Sequence, residues 1–177
     1  MKKKIALIMG LMLIFAVLSA CSENNESTDA SQTAGFSKED LAVTVNGADY
    51  KLRVDSAPIL AALGDGYEYM EVISCVYDGK DKTFTYPGII VNTVPVEGKD
   101  VVEMFTLTDS TYSTSKGIKV GDTKDDIISV YGEDYFDDGY MTYSTTNDET
   151  DIEAERIQFL MGAADEIEEI YVYSPSY

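Results

Sequence analysis

Apolar positions recur along this chain at two different spacings, and the alternation between them divides it into short segments. From Leu41 to Leu52, apolar and polar residues alternate on both sides of Asn46-Gly47. A period of two marks strands, and Asn-Gly supplies the positive φ that a tight hairpin turn needs at both central positions. From Asp55 to Gly64 the spacing changes. Ile59, Leu60 and Leu63 fall on one face at helical spacing, Asp55 or Ser56 offers a cap, Pro58 sits in the first turn, and Gly64 marks the stop. Residues 65–80, with Tyr67-Glu68-Tyr69-Met70-Glu71-Val72-Ile73, fit neither period and read equally well as extended chain or a further helical turn. Three strand segments follow, Lys82 to Tyr86, Gly88 to Val94 and Asp100 to Thr108, separated by Pro87-Gly88 and Glu97-Gly98-Lys99. Such short connections imply antiparallel neighbours.

A polar link, Thr108 to Lys116, leads to a second helical stretch with clearer punctuation. In Lys116-Gly117-Ile118-Lys119-Val120-Gly121-Asp122-Thr123-Lys124-Asp125-Asp126-Ile127-Ile128-Ser129-Val130-Tyr131-Gly132, Asp122 or Thr123 caps and Asp125 or Asp126 completes a capping box. Ile127, Ile128 and Tyr131 repeat the earlier apolar spacing, and Gly132 stands where Gly64 stood. After an acidic loop, Glu133 to Gly139, come strand segments Tyr140 to Thr145, Ala154 to Met161 and Glu166 to Tyr173. The order helix, glycine, meander therefore occurs twice. It predicts an α+β fold of two tandem helix–antiparallel-meander repeats, about 40–110 and 116–177, with the helices packed on one face of sheet.

The N-terminus changes the picture of where this domain works. Lys2, Lys3 and Lys4 precede an uncharged run from Ile5 to Ala20, too short for a comfortable membrane span but laid out as a secretory signal. Leu18-Ser19-Ala20-Cys21 resembles the lipobox of bacterial lipoproteins, which implies cleavage between Ala20 and Cys21 and lipidation of Cys21. Residues 21–39 then read as a flexible Ser/Asn/Thr/Glu-rich tether. The expected organisation is a signal peptide over 1–20, the tether, and a single domain over 40–177. A doubly acylated anchor would hold it on the extracytoplasmic face of the cell membrane.

The chain has 13 basic and 32 acidic residues. Removing the three signal lysines leaves 10 − 32 = −22, a balance that repels nucleic acid and reads first as a solvated acidic exterior, one that could also attract cations or a basic protein. If Cys21 is lipidated, Cys75 has no disulfide partner, and its apolar setting in Ser74-Cys75-Val76-Tyr77 predicts a small buried hydrophobe.

Catalytic chemistry is poorly supplied. The chain has no histidine, which rules out Ser-His-Asp and Cys-His systems and histidine-bound zinc. No phosphate-binding or dinucleotide motif is present, and no cofactor is implied. Glu133, Asp134, Asp137 and Asp138 are weak candidates for calcium, as are Asp148, Glu149 and Asp151, without the EF-hand spacing. The tyrosines say more. There are 13 against six phenylalanines and no tryptophan, and tyrosine gives a rigid contact surface with a polar tip. Tyr67 and Tyr69 after the first helix, and Tyr135 and Tyr140 after the second, form the candidate binding surface.

The layout with Gly117 to Gly132 opening its second copy looks like the β-lactamase-inhibitor-protein-like fold. It also resembles the small lipoproteins of β-barrel assembly, and most of all those lipoproteins of single-membrane bacteria that add a Ser-Cys-x-(Phe/Tyr) segment, here Ser74 to Tyr77. The resemblance spans roughly Leu41 to Ser174 and implies a binding protein whose contacts lie on loops and a concave sheet face. No inhibitory residue is carried over, and those inhibitors are disulfide-bonded where this chain is not. The reading that follows is a membrane-anchored extracytoplasmic lipoprotein, a non-catalytic interaction module for a protein or cell-envelope partner. The alternatives are a calcium-dependent envelope protein and, last, a carboxylate-based hydrolase.

Overall fold

The computed structural model describes residues 35–175. The signal peptide, the Ala20–Cys21 cleavage site, the lipidated Cys21 and most of the tether lie outside the described residues. After a 3₁₀ turn at Lys38–Asp40 come strands β1 (Ala42–Val45) and β2 (Ala48–Lys51), then helix α1 (Ala57–Leu63). Strands β3 (Glu68–Ile73), β4 (Lys80–Tyr86), β5 (Ile89–Val96), β6 (Lys99–Leu107) and the short β7 (Ser113–Thr114) follow. Helix α2 (Lys124–Tyr131), β8 (Phe136–Asp137), β9 (Met141–Ser144), β10 (Arg156–Met161) and β11 (Ile167–Tyr173) complete the order.

The α+β class with two tandem helix–meander repeats is overturned. Strand outweighs helix by 44% to 13%, and one large antiparallel sheet dominates. It has eight strands in the order β3-β4-β5-β6-β11-β10-β9-β8, and a second sheet holds β2-β1-β7. The physical reason is the seam between β6 and β11, where Leu107 faces Ile170 and Phe105 faces Val172. That pairing merges what local punctuation reads as two units into one sheet, and no local signal encodes it. Within residues 65–80, Glu68–Ile73 resolves as strand: β3 pairs with β4 from Glu68↔Thr85 to Ile73↔Lys80, and residues 74–79 form the connection. The polar link contains β7, and the acidic loop contains β8.

Side-chain alternation sorts the large sheet into two faces. One row runs Phe84, Val91, Phe105, Val172, Ile157, Tyr143, and its neighbour runs Tyr86, Ile89, Leu107, Ile170, Phe159, Met141. Every residue of both rows is buried, in one cluster with Val43 and Val45 of β1, Ile59 of α1, and Ile127 and Tyr131 of α2. The opposite rows run Thr85, Ile90, Thr106, Tyr171, Gln158, Thr142 and Thr83, Asn92, Met104, Tyr173, Arg156, Ser144. None of these belongs to the core cluster.

The helices are only seven and eight residues long, too short to hold by themselves, so packing and caps must fix them. In α2 the Thr123 hydroxyl accepts from the Asp126 backbone N–H, and the Asp126 carboxylate accepts from the Thr123 N–H at 2.9 Å. In α1 the Ser56 side chain makes no cap bond; Asp55 Oδ1 instead accepts from the Ala57 N–H at 3.0 Å. Each helix stops at a glycine whose carbonyl accepts a strand tyrosine hydroxyl. Tyr86 donates to Gly64 at 3.0 Å, and Tyr143 donates to Gly132 at 2.7 Å.

Candidate functional site

The four candidate tyrosines separate into two pairs at opposite edges of the large sheet. Tyr67 and Tyr69 lie on and just before β3. Their rings stand 5.2 and 5.3 Å from Phe84, and Tyr67 is 5.2 Å from Tyr86. Both remain exposed because β3 is an edge strand with nothing beyond it among the described residues. The Tyr69 hydroxyl donates to Glu71 Oε2 at 2.6 Å, and Glu71 is ion-paired with Lys80. That donation pushes the Tyr69 phenol up to about 12, because ionising it would set a second negative charge beside Glu71.

Tyr135 and Tyr140 meet at the other edge. They line a cleft of about 250 Å³ together with Lys124, Asp137, Met141 and Asp165. The ring of Tyr140 meets Tyr171 edge-on at 5.7 Å, and Tyr135 packs on Tyr143 at 5.8 Å. Lys124 is the first residue of α2, and its chain start is fixed by a backbone bond from its N–H to the Asp165 carbonyl at 3.2 Å. Its Nζ lies 5.3 Å from the centroid of the Tyr135 ring. A lysine at a helix N-terminus opposes the helix dipole, so this position must be held by its neighbours. The adjoining Tyr135 side chain, with smaller contributions from the charges of Asp165 and Asp137, raises the Lys124 pKa. The cleft thus already holds one cationic head over an aromatic face, with Asp137 and Asp165 lining the same cleft.

The acidic residues proposed for calcium are not drawn together. Glu133, Asp134, Asp137 and Asp138 are all exposed, and no group of three or more carboxylates, cysteines or histidines among the described residues is placed to hold a metal ion. They are occupied locally instead. Asp137 Oδ1 accepts from the Gly139 N–H at 3.1 Å and Asp138 Oδ1 from the Thr142 hydroxyl at 2.9 Å. In the second loop Asp148 Oδ1 accepts from both the N–H and the hydroxyl of Thr150. These acids build turns.

Three features escape the sequence reading. Cys75 is exposed, not buried, because the strand before it is an open edge and the apolar context around it is itself exposed. Lys124 and Asp165 enter the cleft from a helix start and a distant turn, which share no local motif with Tyr135. Buried Asp40 holds a 3.3 Å ion pair with Lys116 and accepts from the Ser37 N–H at 2.7 Å. No helix among the described residues is long and apolar enough to cross a membrane. No protein-family model, curated protein or solved structure matches the chain.

Proposed function

We propose that this protein is a lipid-anchored extracytoplasmic binding module, without a catalytic role, that receives a cationic group of a protein or cell-envelope partner in the cleft at the start of α2. The observation that carries this reading is the Lys124 ammonium seated against Tyr135 beside Asp137 and Asp165. It is the chain's own occupant of a place suited to a partner's lysine or arginine. An acidic surface around it would speed encounter with such a partner. Anchoring rests on Leu18-Ser19-Ala20-Cys21, which supports lipid attachment at Cys21.

The test is calorimetry of the full chain with a lysine hexapeptide. Lys124→Ala removes the internal competitor and should tighten binding several-fold, while Tyr135→Ala with Tyr140→Ala should abolish it. Binding that is unchanged by Lys124→Ala, or that survives loss of both tyrosines, would overturn the cleft assignment. The anchor has a separate readout. Cys21→Ser should eliminate incorporation of labelled fatty acid, and persistent labelling would sink it.

A further inference from the structure

We propose that β3 is a self-association edge, through which two copies of this chain pair β3 to β3, antiparallel, about a two-fold axis at Met70. Among the described residues β3 has one neighbour, β4, and all six of its residues are exposed. An unpaired strand edge is a template for another strand, and proteins usually blunt it with lysine, proline, a bulge or shortness. β3 pairs with β4 without irregularity and contains neither lysine nor proline; its charges are Glu68 and Glu71, the latter already neutralised by Lys80. The opposite edge, β8, is two residues long.

The residues of β3 select a second copy as the occupant. In a symmetric antiparallel pair, only an axis through a residue keeps both buried faces on the same side, since successive side chains alternate. Three axes fall near the strand centre. An axis at Glu71 sets two carboxylates directly opposite each other, which is destabilising. One at Tyr69 leaves Ile73, 81% exposed, opposite Asp65. An axis at Met70 satisfies every position. Ile73 meets Tyr67 of the other copy, an aromatic–β-branched pair of the favourable kind. Tyr69 meets Glu71, the same donor and acceptor that already bond within one copy at 2.6 Å. Glu68 meets Val72, and Met70, itself 59% exposed, meets its own symmetry mate. No like charges stand directly opposite; the two Glu71 carboxylates are diagonal neighbours, each already paired with Lys80 of its own copy.

Two six-residue strands make a small contact, so the association is weak in dilute solution. Confinement of both copies to one membrane surface would raise their effective concentration. The acidic charge of each copy opposes pairing, so added salt strengthens it. A cationic partner in the α2 cleft responds to salt in the opposite sense, and the two sites are independent.

The experiment uses the full chain in detergent. Residues opposite each other in an antiparallel pair have Cα atoms about 4.5–5.5 Å apart, within disulfide reach. Met70→Cys in a Cys75→Ser background should therefore form a linked dimer on mild oxidation, while Cys75→Ser alone and Tyr69→Cys in that background should not. Met70→Lys should shift the chain to monomer by light scattering with its melting temperature unchanged, and Ile152→Lys, at an exposed apolar residue elsewhere, should leave the dimer intact. Cross-linking equally efficient at Tyr69, a dimer indifferent to Met70→Lys, or a monomer at every concentration and salt level would overturn the proposal.

Discussion

The two edges of the eight-stranded sheet use the same lock and then diverge. At each, a strand tyrosine donates to the carbonyl of the glycine that ends a helix, Tyr86 to Gly64 and Tyr143 to Gly132. Around Tyr143 the lock is sealed. Tyr131, Phe159, Phe36 and Tyr135 all stand within 6.2 Å of its ring by centroid, and it has no exposed surface. Around Tyr86 the neighbours are Tyr67 and, through Phe84, Tyr69, which face water. The same residue type therefore builds core at one edge and surface at the other. What separates them is cover over the sheet face: Tyr131 of α2 and Phe36 pack on Tyr143, whereas Tyr67 and Tyr69 stay exposed.

The largest test of that contrast is truncation. Tyr143→Ala should cost roughly 3–5 kcal/mol in urea unfolding, as expected for removing a fully buried aromatic side chain. Tyr67→Ala at the open edge should stay under about 1 kcal/mol. A cost at Tyr67 comparable with that at Tyr143 would show the open edge to be part of the core. Removing only the hydroxyl is the finer comparison. Tyr143→Phe and Tyr86→Phe each remove one part-buried hydrogen bond to a glycine carbonyl and should each cost about 1 kcal/mol.

The helix starts differ as the stops do. Thr123→Ala should lower stability by about 1 kcal/mol, whereas Ser56→Ala, which breaks no cap bond, should change it by less than about 0.5. The cap also carries a pH signature. The Thr123 hydroxyl and N–H hold the Asp126 carboxyl below its ordinary value. Its contribution is therefore complete above the unfolded carboxylate pKa of about 4 and is lost as pH falls through the lower folded value. Asp126→Asn should flatten the acid limb of the stability curve, and an unchanged limb would assign that stability elsewhere. At the alkaline end, burial raises the Tyr143 phenol. Its contribution is present below the unfolded value of about 10 and declines as pH rises beyond it. Tyr143→Phe should reduce that decline slightly, the smallest effect of the set.

The parts of this fold that were legible in the sequence are those written in adjacent residues. Asn46-Gly47 turns β1 into β2 with φ of 52° and 79°, and Thr123 with Asp126 closes the α2 cap. β3 was not legible because it is exposed on both faces, so no alternation marks it. The β6–β11 seam was not legible because its partners lie some sixty residues apart and each strand reads the same with any neighbour. The site was legible in the same partial way. Tyr135 and Tyr140 come together at one cleft, but Lys124 and Asp165 reach it only through the docking of α2 onto the turn between β10 and β11. In the acidic loops, carboxylates beside glycine and threonine accept from their own turns, as Asp137, Asp138 and Asp148 do.

The lysine at position 116 has a mechanical consequence. Its ammonium bonds the Gly35 carbonyl, reaches the Val130 carbonyl at 3.5 Å at the end of α2, and pairs with buried Asp40. Gly35 in turn donates its N–H to Val130 at 3.4 Å. A pull arriving along the chain at Gly35 therefore loads a charged clamp and the frame of α2 before it reaches β1. The cleft at the other end of that helix and the exposed edge at β3 both lie beyond the clamp along the chain.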